Sequence, residues 1–530
     1  MHVRRATQVV SNTLGDSHVI TVVAVGLLFA FGNGPNFLLA LLACVVLAIG
    51  GYLFWRPIEK GVLFAFFAYQ WAEVFTTIAD SNLRGLALTE YLYQYPRIED
   101  AAFLALIGLV FQAIGMRVGA GRSRVTDYAD LCRHVYNVPP KTWLYLHLIV
   151  SGVSIAALEI AKLMPGFSQP LLALAYLRWC TFVILTIVTF MRAANLRPIW
   201  FLIFIVEFFA ALGGYFSSFK LVFVYTLIAL VIINVRVTIR HALGSLAAVM
   251  MMLAVGIYWT AIKPQYRAFV SGGQSAQTVE VGKFEAINKA YDLALLVKID
   301  QLPAAAESLT RRFSDIGPFA ATLDYVPRIV PHEGGAIWED AIARPFMPRV
   351  LFPNKAGIDE SAITTRYTGR QVAGLDEGTQ IGLGYFPESY VDFGEAGMMA
   401  ALLGFGVFLG AVYRVCVRHP RARGLIGVGL AAAILLQQNS IVVSSAKIVG
   451  GLVVHRVSQG GRKRGKTSGI RFCRGVQVSH LEPLGGETLA EGAGFGAFQH
   501  SEGLSFQNSR QMQALEARQP EKLLIRHRTP

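Results

Sequence analysis

The residues best suited to chemistry lie in one polar stretch. It reads Arg344-Pro345-Phe346-Met347-Pro348-Arg349-Val350-Leu351-Phe352-Pro353-Asn354-Lys355, and Arg366, Thr368, Gly369 and Arg370 follow. Pro348 and Pro353 bracket Arg349 and deny it a helix interior, because proline has no N–H to give and clashes with the preceding turn. A rigid, irregular loop carrying arginine and lysine has the form of an anion receptor, since a guanidinium offers forked donors that match phosphate oxygens. The same residues could instead pair with neighbouring acids on a solvated loop. A second run, Glu388-Ser389-Tyr390-Val391-Asp392-Phe393-Gly394-Glu395-Ala396-Gly397, leads straight into an apolar segment.

Other chemistries find little support. There is no C-x-x-C, no H-E-x-x-H, no EF-hand loop, no P-loop and no D-x-D pair. His332-Glu333 alone is not a metal site. We therefore expect no cofactor and no metal centre, which leaves scattered carboxylates as the only hard donors for a divalent ion. Cys44, Cys180 and Cys416 fall in or beside apolar runs, with Cys132 and Cys473 elsewhere. The polar stretch has no cysteine, so disulfides do not hold it.

The elements that must position these residues are membrane spans. Of 530 residues 54% are hydrophobic and 15% charged, and the mean hydropathy is +0.47. A soluble domain is nearer a quarter charged, so the apolar excess means many spans rather than one large core. Runs near 18–33, 36–55, 61–79, 101–119, 142–161, 170–190, 198–216, 220–235, 242–261, 396–416, 424–438 and 440–455 give about twelve transmembrane helices. The first and the last two are short for a bilayer that wants ~20 residues. No cleavable leader is expected, as the first apolar run passes directly into the second.

Charge tests this count. With Arg4 and Arg5 cytoplasmic, alternation puts Arg56, Lys60, Arg117, Arg122, Arg192, Arg197, Arg236, Arg240, Arg414 and Arg418 in inside loops, and the loop around 80–100 is acidic and outside. That is the positive-inside asymmetry, with both termini cytoplasmic. It also accounts for the net charge of +14 without nucleic acid, for which a basic stripe interleaved with aromatics is missing.

The expected fold class is thus an all-α polytopic integral membrane protein with one large extracytoplasmic loop domain. Residues 1–261 form a bundle of about nine spans, 262–395 the loop, 396–456 the last spans, and 457–530 a disordered basic tail. Within the loop, residues 283–300 read as a helix with Phe284, Ile287, Tyr291, Ala294 and Leu295 on one face. That helix either lies in the membrane interface or packs on the rest of the loop. Glu73, Glu159, Arg178 and Glu207 fall inside spans and should face the bundle interior. Arg178 either pairs with one of these glutamates or lines a site. Gly404, Gly406 and Gly410 suggest close helix packing.

The 348–355 segment, together with 388–394 ahead of a span, resembles the O-antigen or oligosaccharide repeat-unit polymerases (the Wzy type). Those proteins are similar in having many spans, a large external loop late in the chain and a proline-bracketed arginine within it. The resemblance implies an enzyme of the cell inner membrane that transfers a growing glycan from undecaprenyl diphosphate to another lipid-linked repeat unit, making an O-antigen or exopolysaccharide. It implies Arg349, Lys355, Arg366 and Arg178 as cations for the leaving diphosphate, and Glu388, then Asp392, as general base. Glu388 and Asp392 can equally serve the positive N-terminus of a helix. Implied partners are the lipid-linked glycans, membrane lipid, a chain-length regulator and a flippase. A ligase or other lipid-linked glycosyltransferase is the nearest alternative, and a flippase or transporter the next. The absence of internal repeats speaks against the last.

Overall fold

The computed structural model describes residues 18–122, 125–163, 171, 174–212, 219–233, 239–272, 280–313, 316–347, 352, 355, 357–374, 381–418 and 424–436. Among them every regular element is helical. In chain order these are α1 (His18–Phe31), α2 (Phe37–Phe54), α3 (Glu59–Leu83), α4 (Leu88–Tyr91), α5 (Ile98–Ala120), α6 (Val125–Asn137), α7 (Pro140–Leu163), α8 (Leu177–Met191), α9 (Arg197–Leu212), α10 (Lys220–Ile233) and α11 (Ile239–Val270). Then come five short helices, α12 (Lys283–Leu295), α13 (Leu302–Phe313), α14 (Ile316–Tyr325), α15 (Ala336–Ala343) and α16 (Glu360–Thr368). The long α17 (Tyr385–Arg418) and then α18 (Leu425–Leu435) follow.

Among the described residues seven helices are long and apolar enough to cross a membrane: α2, α3, α5, α7, α9 with the 3-10 turn before it (Ala194–Ala211), α11 and α17. Four more apolar helices, α1, α8, α10 and α18, are shorter. At ~1.5 Å per residue the 14 residues of α10 reach about 21 Å, less than a ~30 Å hydrocarbon core. Eleven of the twelve expected stretches are therefore apolar helices, seven of them at full spanning length. The twelfth, 440–455, and the tail 457–530 lie outside the described residues.

Among the described residues, Arg117, Arg192 and Arg418 of the loops read as basic gather at one end, while Arg4, Arg5 and Arg236 lie outside them. Arg418, at the close of α17, donates to Asp127 of α6 at 3.0 Å and to the carbonyl oxygens of Ala120 (2.9 Å) and Arg122 (2.6 Å). Arg117 of α5 pairs with Glu59 of α3 at 2.7 Å, and Arg192 after α8 donates to the carbonyls of Val135, Tyr136 and Val138. Helix α6 lies here, with Tyr128, Leu131, Cys132 and Val135 buried at the i, i+3, i+4, i+7 spacing of one helical face. At the opposite end Arg84, just after α3, reaches Glu307 of α13 (3.8 Å). Arg97, just before α5, reaches Glu395 (3.7 Å) and the Leu323 carbonyl (2.8 Å).

Helices α5 and α17 share the most extensive interface, and its cause is glycine. A Cβ at Gly115 would stand 2.1 Å from the Leu403 carbonyl oxygen, and one at Gly119 2.1 Å from that of Val407. Facing them, a Cβ at Gly406 would stand 2.1 Å from the Gln112 oxygen and one at Gly410 2.2 Å from that of Met116. Two small-xxx-small pairs thus let the backbones touch. Gly404 takes no part, since nothing lies within 4 Å of a Cβ placed there. Of the intramembrane acids, Glu207 is buried and Glu73 half-buried, whereas Glu159 is exposed on α7. Glu159 stands one turn from the end of that helix, where a carboxylate can reach the headgroups.

Candidate functional site

The site is built on a break in α17. Gly394 has φ +67 and ψ −173, a conformation closed to residues with a side chain. It divides the helix into a short arm, residues 385–393, and the long span that follows. Tyr390 anchors the arm to α14, donating to the Val326 carbonyl at 3.0 Å and lying edge-on to Phe319, 6.2 Å between centroids. Tyr385, at its start, stacks toward Phe66 of α3 and Phe405 beyond the break.

The loop 332–338 is fastened to the end of this arm. The amides of Glu333 and Gly334 donate to the carbonyls of Val391 (3.0 Å) and Asp392 (3.1 Å). The Asp392 carboxylate accepts from the amides of Ile337 (3.2 Å) and Trp338 (2.8 Å). Those amides open α15, so Asp392 caps the helix whose positive end it faces. Glu333 then gathers α16: it accepts from Arg366 Nη2 at 2.7 Å and from the Tyr367 hydroxyl at 2.9 Å. Burial first, and then the bond to Glu333, hold the Tyr367 phenol above its usual range. Arg370, farther along, lies over the Tyr95 ring at 4.2 Å and donates to the Gln94 carbonyl, which ties this assembly to the start of α5.

His332 was not singled out by sequence except as a failed metal site, and here it occupies the centre of the assembly. Its Nδ1 lies 3.1 Å from the Val391 carbonyl oxygen. A carbonyl only accepts, so Nδ1 carries a proton, and in the neutral ring Nε2 is the acceptor. Nε2 faces Gly394, where a Cβ would stand 3.5 Å away, and the ring packs edge-on to Tyr390. His332 is exposed. The residue after it in the chain, Glu333, holds Arg366, whose guanidinium side chain is 62% exposed. No signal at His332 itself reveals this, because its orienting partner is 59 residues away.

The residues expected from sequence are distributed unevenly around this centre. Asp392 and Arg366 are brought to it through the 332–338 loop. Glu388 is buried in the first turn of the arm. Lys355 donates its Nζ to the carbonyls of Arg344 (2.6 Å) and Met347 (3.0 Å). Arg349 lies outside the described residues. Arg178 is held within the bundle: it lies 3.7 Å from Glu207 of α9 and over Trp179. His147 of α7 completes that cluster, bonded to Thr181 at 3.0 Å. This is the pairing expected of a structural contact between spans. Among the described residues no cluster of His, Cys, Asp and Glu could hold a metal ion.

A family model described as a domain of unknown function, DUF8712, matches residues 124–418. No curated protein and no solved structure matches the chain. The matched stretch runs from α6 to the end of α17 and therefore contains the whole His332–Glu333–Arg366–Asp392 assembly.

Proposed function

We propose that this chain, which belongs to the DUF8712 family, polymerises undecaprenyl-diphosphate-linked repeat units into a surface polysaccharide, with its reaction centre at the end of the bundle where the short helices lie. The observation that carries the reading is the exposed His332, oriented by the Val391 carbonyl and next in the chain to Glu333, which holds Arg366, at the end of a bundle of apolar helices. A lipid-linked sugar presents its reacting carbon at that depth. The resemblance of residues 348–355 and 388–394 to the repeat-unit polymerases supports the same reading. So does the charge asymmetry of the loops, which would put this end outside the cell inner membrane in a twelve-span topology.

In this mechanism the bond between the donor sugar and the diphosphate breaks, and the acceptor hydroxyl oxygen takes its place on the same carbon. The hydroxyl proton passes to His332 Nε2, which stands ahead of Glu388 and Asp392 as base because it is exposed while both carboxylates are buried. The diphosphate departs on its carrier lipid. Its developing charge is met by Arg366, Arg349 and Lys355. Asp392 is a positioning residue, holding α15 and the 332–338 loop. Two polyprenyl tails, a flippase that delivers the donor and a chain-length regulator are the partners this reaction needs.

The test is a null strain whose surface glycan is resolved by length. We expect single repeat units in place of long chains. Long chains left unattached on the carrier lipid would instead mark a ligase. Repeat units trapped on the cytoplasmic leaflet would mark a flippase.

A further inference from the structure

Helix α12 presents two apolar faces. At about 100° per residue, Ala286, Ala290 and Leu293 share one side, and all three are buried against Trp259, Ile262, Tyr266 and Val270 of α11. The opposite side carries Phe284, Tyr291 and Leu295, and the chain continues with Leu296 and Ile299. These five are 65–85% exposed. The bulky face, for which the sequence left interface or packing open, thus points away from the protein, and the face of Ala286, Ala290 and Leu293 does the packing. Glu285 and Asp292 take the flank between the two.

We propose that the bulky face of α12 is a membrane-contact surface, lying against the headgroup–acyl boundary of the bilayer. Its position decides the occupant. The apolar stretch of α11 able to cross a membrane is Leu246–Val270, and α12 is pinned to its last part, residues 259–270. Whatever surrounds that end of α11 also surrounds α12. Leu246, Met250 and Leu253 lie along another face of α11 and are exposed as well, as expected where lipid is the neighbour. Tyr291 on α12, 65% exposed, supplies an amphipathic ring of the kind that favours headgroup depth. Acids and lysines on the flanks of such a helix can reach outward to water while its apolar side stays in lipid. Five bulky side chains turned to water together would form a patch that soluble surfaces rarely keep. Neither the polymerase reading nor the His332 site is needed for this inference.

The test uses the full chain in bilayers of phosphatidylethanolamine and phosphatidylglycerol. A nitroxide is placed on a single cysteine at position 284, 291, 295 or 299, and its collisions with oxygen and with a water-soluble nickel chelate are compared. Met250 serves as the lipid reference and exposed Tyr93 as the water reference. We expect oxygen to dominate at all four positions, as at 250. Dominance of nickel, as at 93, would overturn the proposal. An immobilised label shielded from both reagents would overturn it too, since a second copy or another protein would then cover the face. If the labelled chains fail to fold, Phe284→Trp and Tyr291→Trp in the native chain test the same surface. Quenching of the added fluorescence by dibrominated lipid supports the proposal, and quenching by acrylamide alone overturns it.

Discussion

His332 and Arg349 make complementary demands on a single experiment. Removing the proton acceptor by His332→Gln should lower polymer formation by about 10²–10⁴-fold with protein abundance near wild type. Arg349→Ala removes one charge contact at the leaving group, about 3–4 kcal/mol or two to three decades in rate. Arg349→Lys keeps the charge without the fork, so it should not recover activity. Long-chain glycan from either His332→Gln or Arg349→Ala, resolved by gel, would end that residue's assignment. Tyr367 gives a test of the same neighbourhood through stability. Its phenol is held above its usual range by burial and by Glu333, so the neutral form is favoured in the fold. That contribution is complete below about pH 10, where an unfolded tyrosine titrates, and is lost as pH rises through the folded value. The melting temperature of the native chain should therefore exceed that of Tyr367→Phe by a constant margin below about pH 10, and the margin should shrink above it. A margin that does not change with alkaline pH would show that the fold does not hold the phenol neutral. At this scale the sequence was only partly legible. Arg366 and Asp392 could be chosen from their surroundings in the chain. His332 could not, because a ring nitrogen becomes an acceptor only through the distant Val391 carbonyl.

Among the elements, the contact of α5 with α17 makes the firmest demand. A leucine at Gly406 would drive its Cβ into the Gln112 carbonyl, a backbone atom that cannot move aside without parting the helices. Gly406→Leu should cost about 1–3 kcal/mol or more and lower the melting temperature in detergent. Gly404→Leu, two residues away on the open side, should leave it unchanged. Equal effects at both positions would show that helix propensity, not contact, sets the response. The small-residue pattern of α17 was visible in the sequence, but its partner was not. Gly115 and Gly119 have the same spacing, and only the fold says which pair meets which. Helix α12 was legible as a helix and not as to its orientation. Two apolar faces are compatible with either side inward, and the smaller residues win because they let α12 lie close to α11.

For the whole molecule, the loop charges set a topology that reporter fusions can check. Fusions at Arg122, Arg240 and Arg418 should report the cytoplasm, and those at Thr278 and Gly374 the opposite side. A cytoplasmic signal at Gly374 would place the His332 assembly among nucleotide sugars and remove the basis for the proposed reaction. The apolar runs were legible as helices in eleven of twelve stretches, of which seven are long enough to cross a membrane. Less legible was the length of each span: α18 closes at Leu435, before its apolar run does. The glycine contact has a further consequence for how the chain is made. Gly115 meets α17 near Leu403, 288 residues later in synthesis (403 − 115). At roughly 5–20 residues per second, α5 waits about 15–60 s in the membrane with its glycine face against lipid or a temporary companion. A membrane chaperone or insertase that shelters small-residue faces should therefore crosslink to α5 in nascent chains that stop before α17, and release it once residue 418 has emerged.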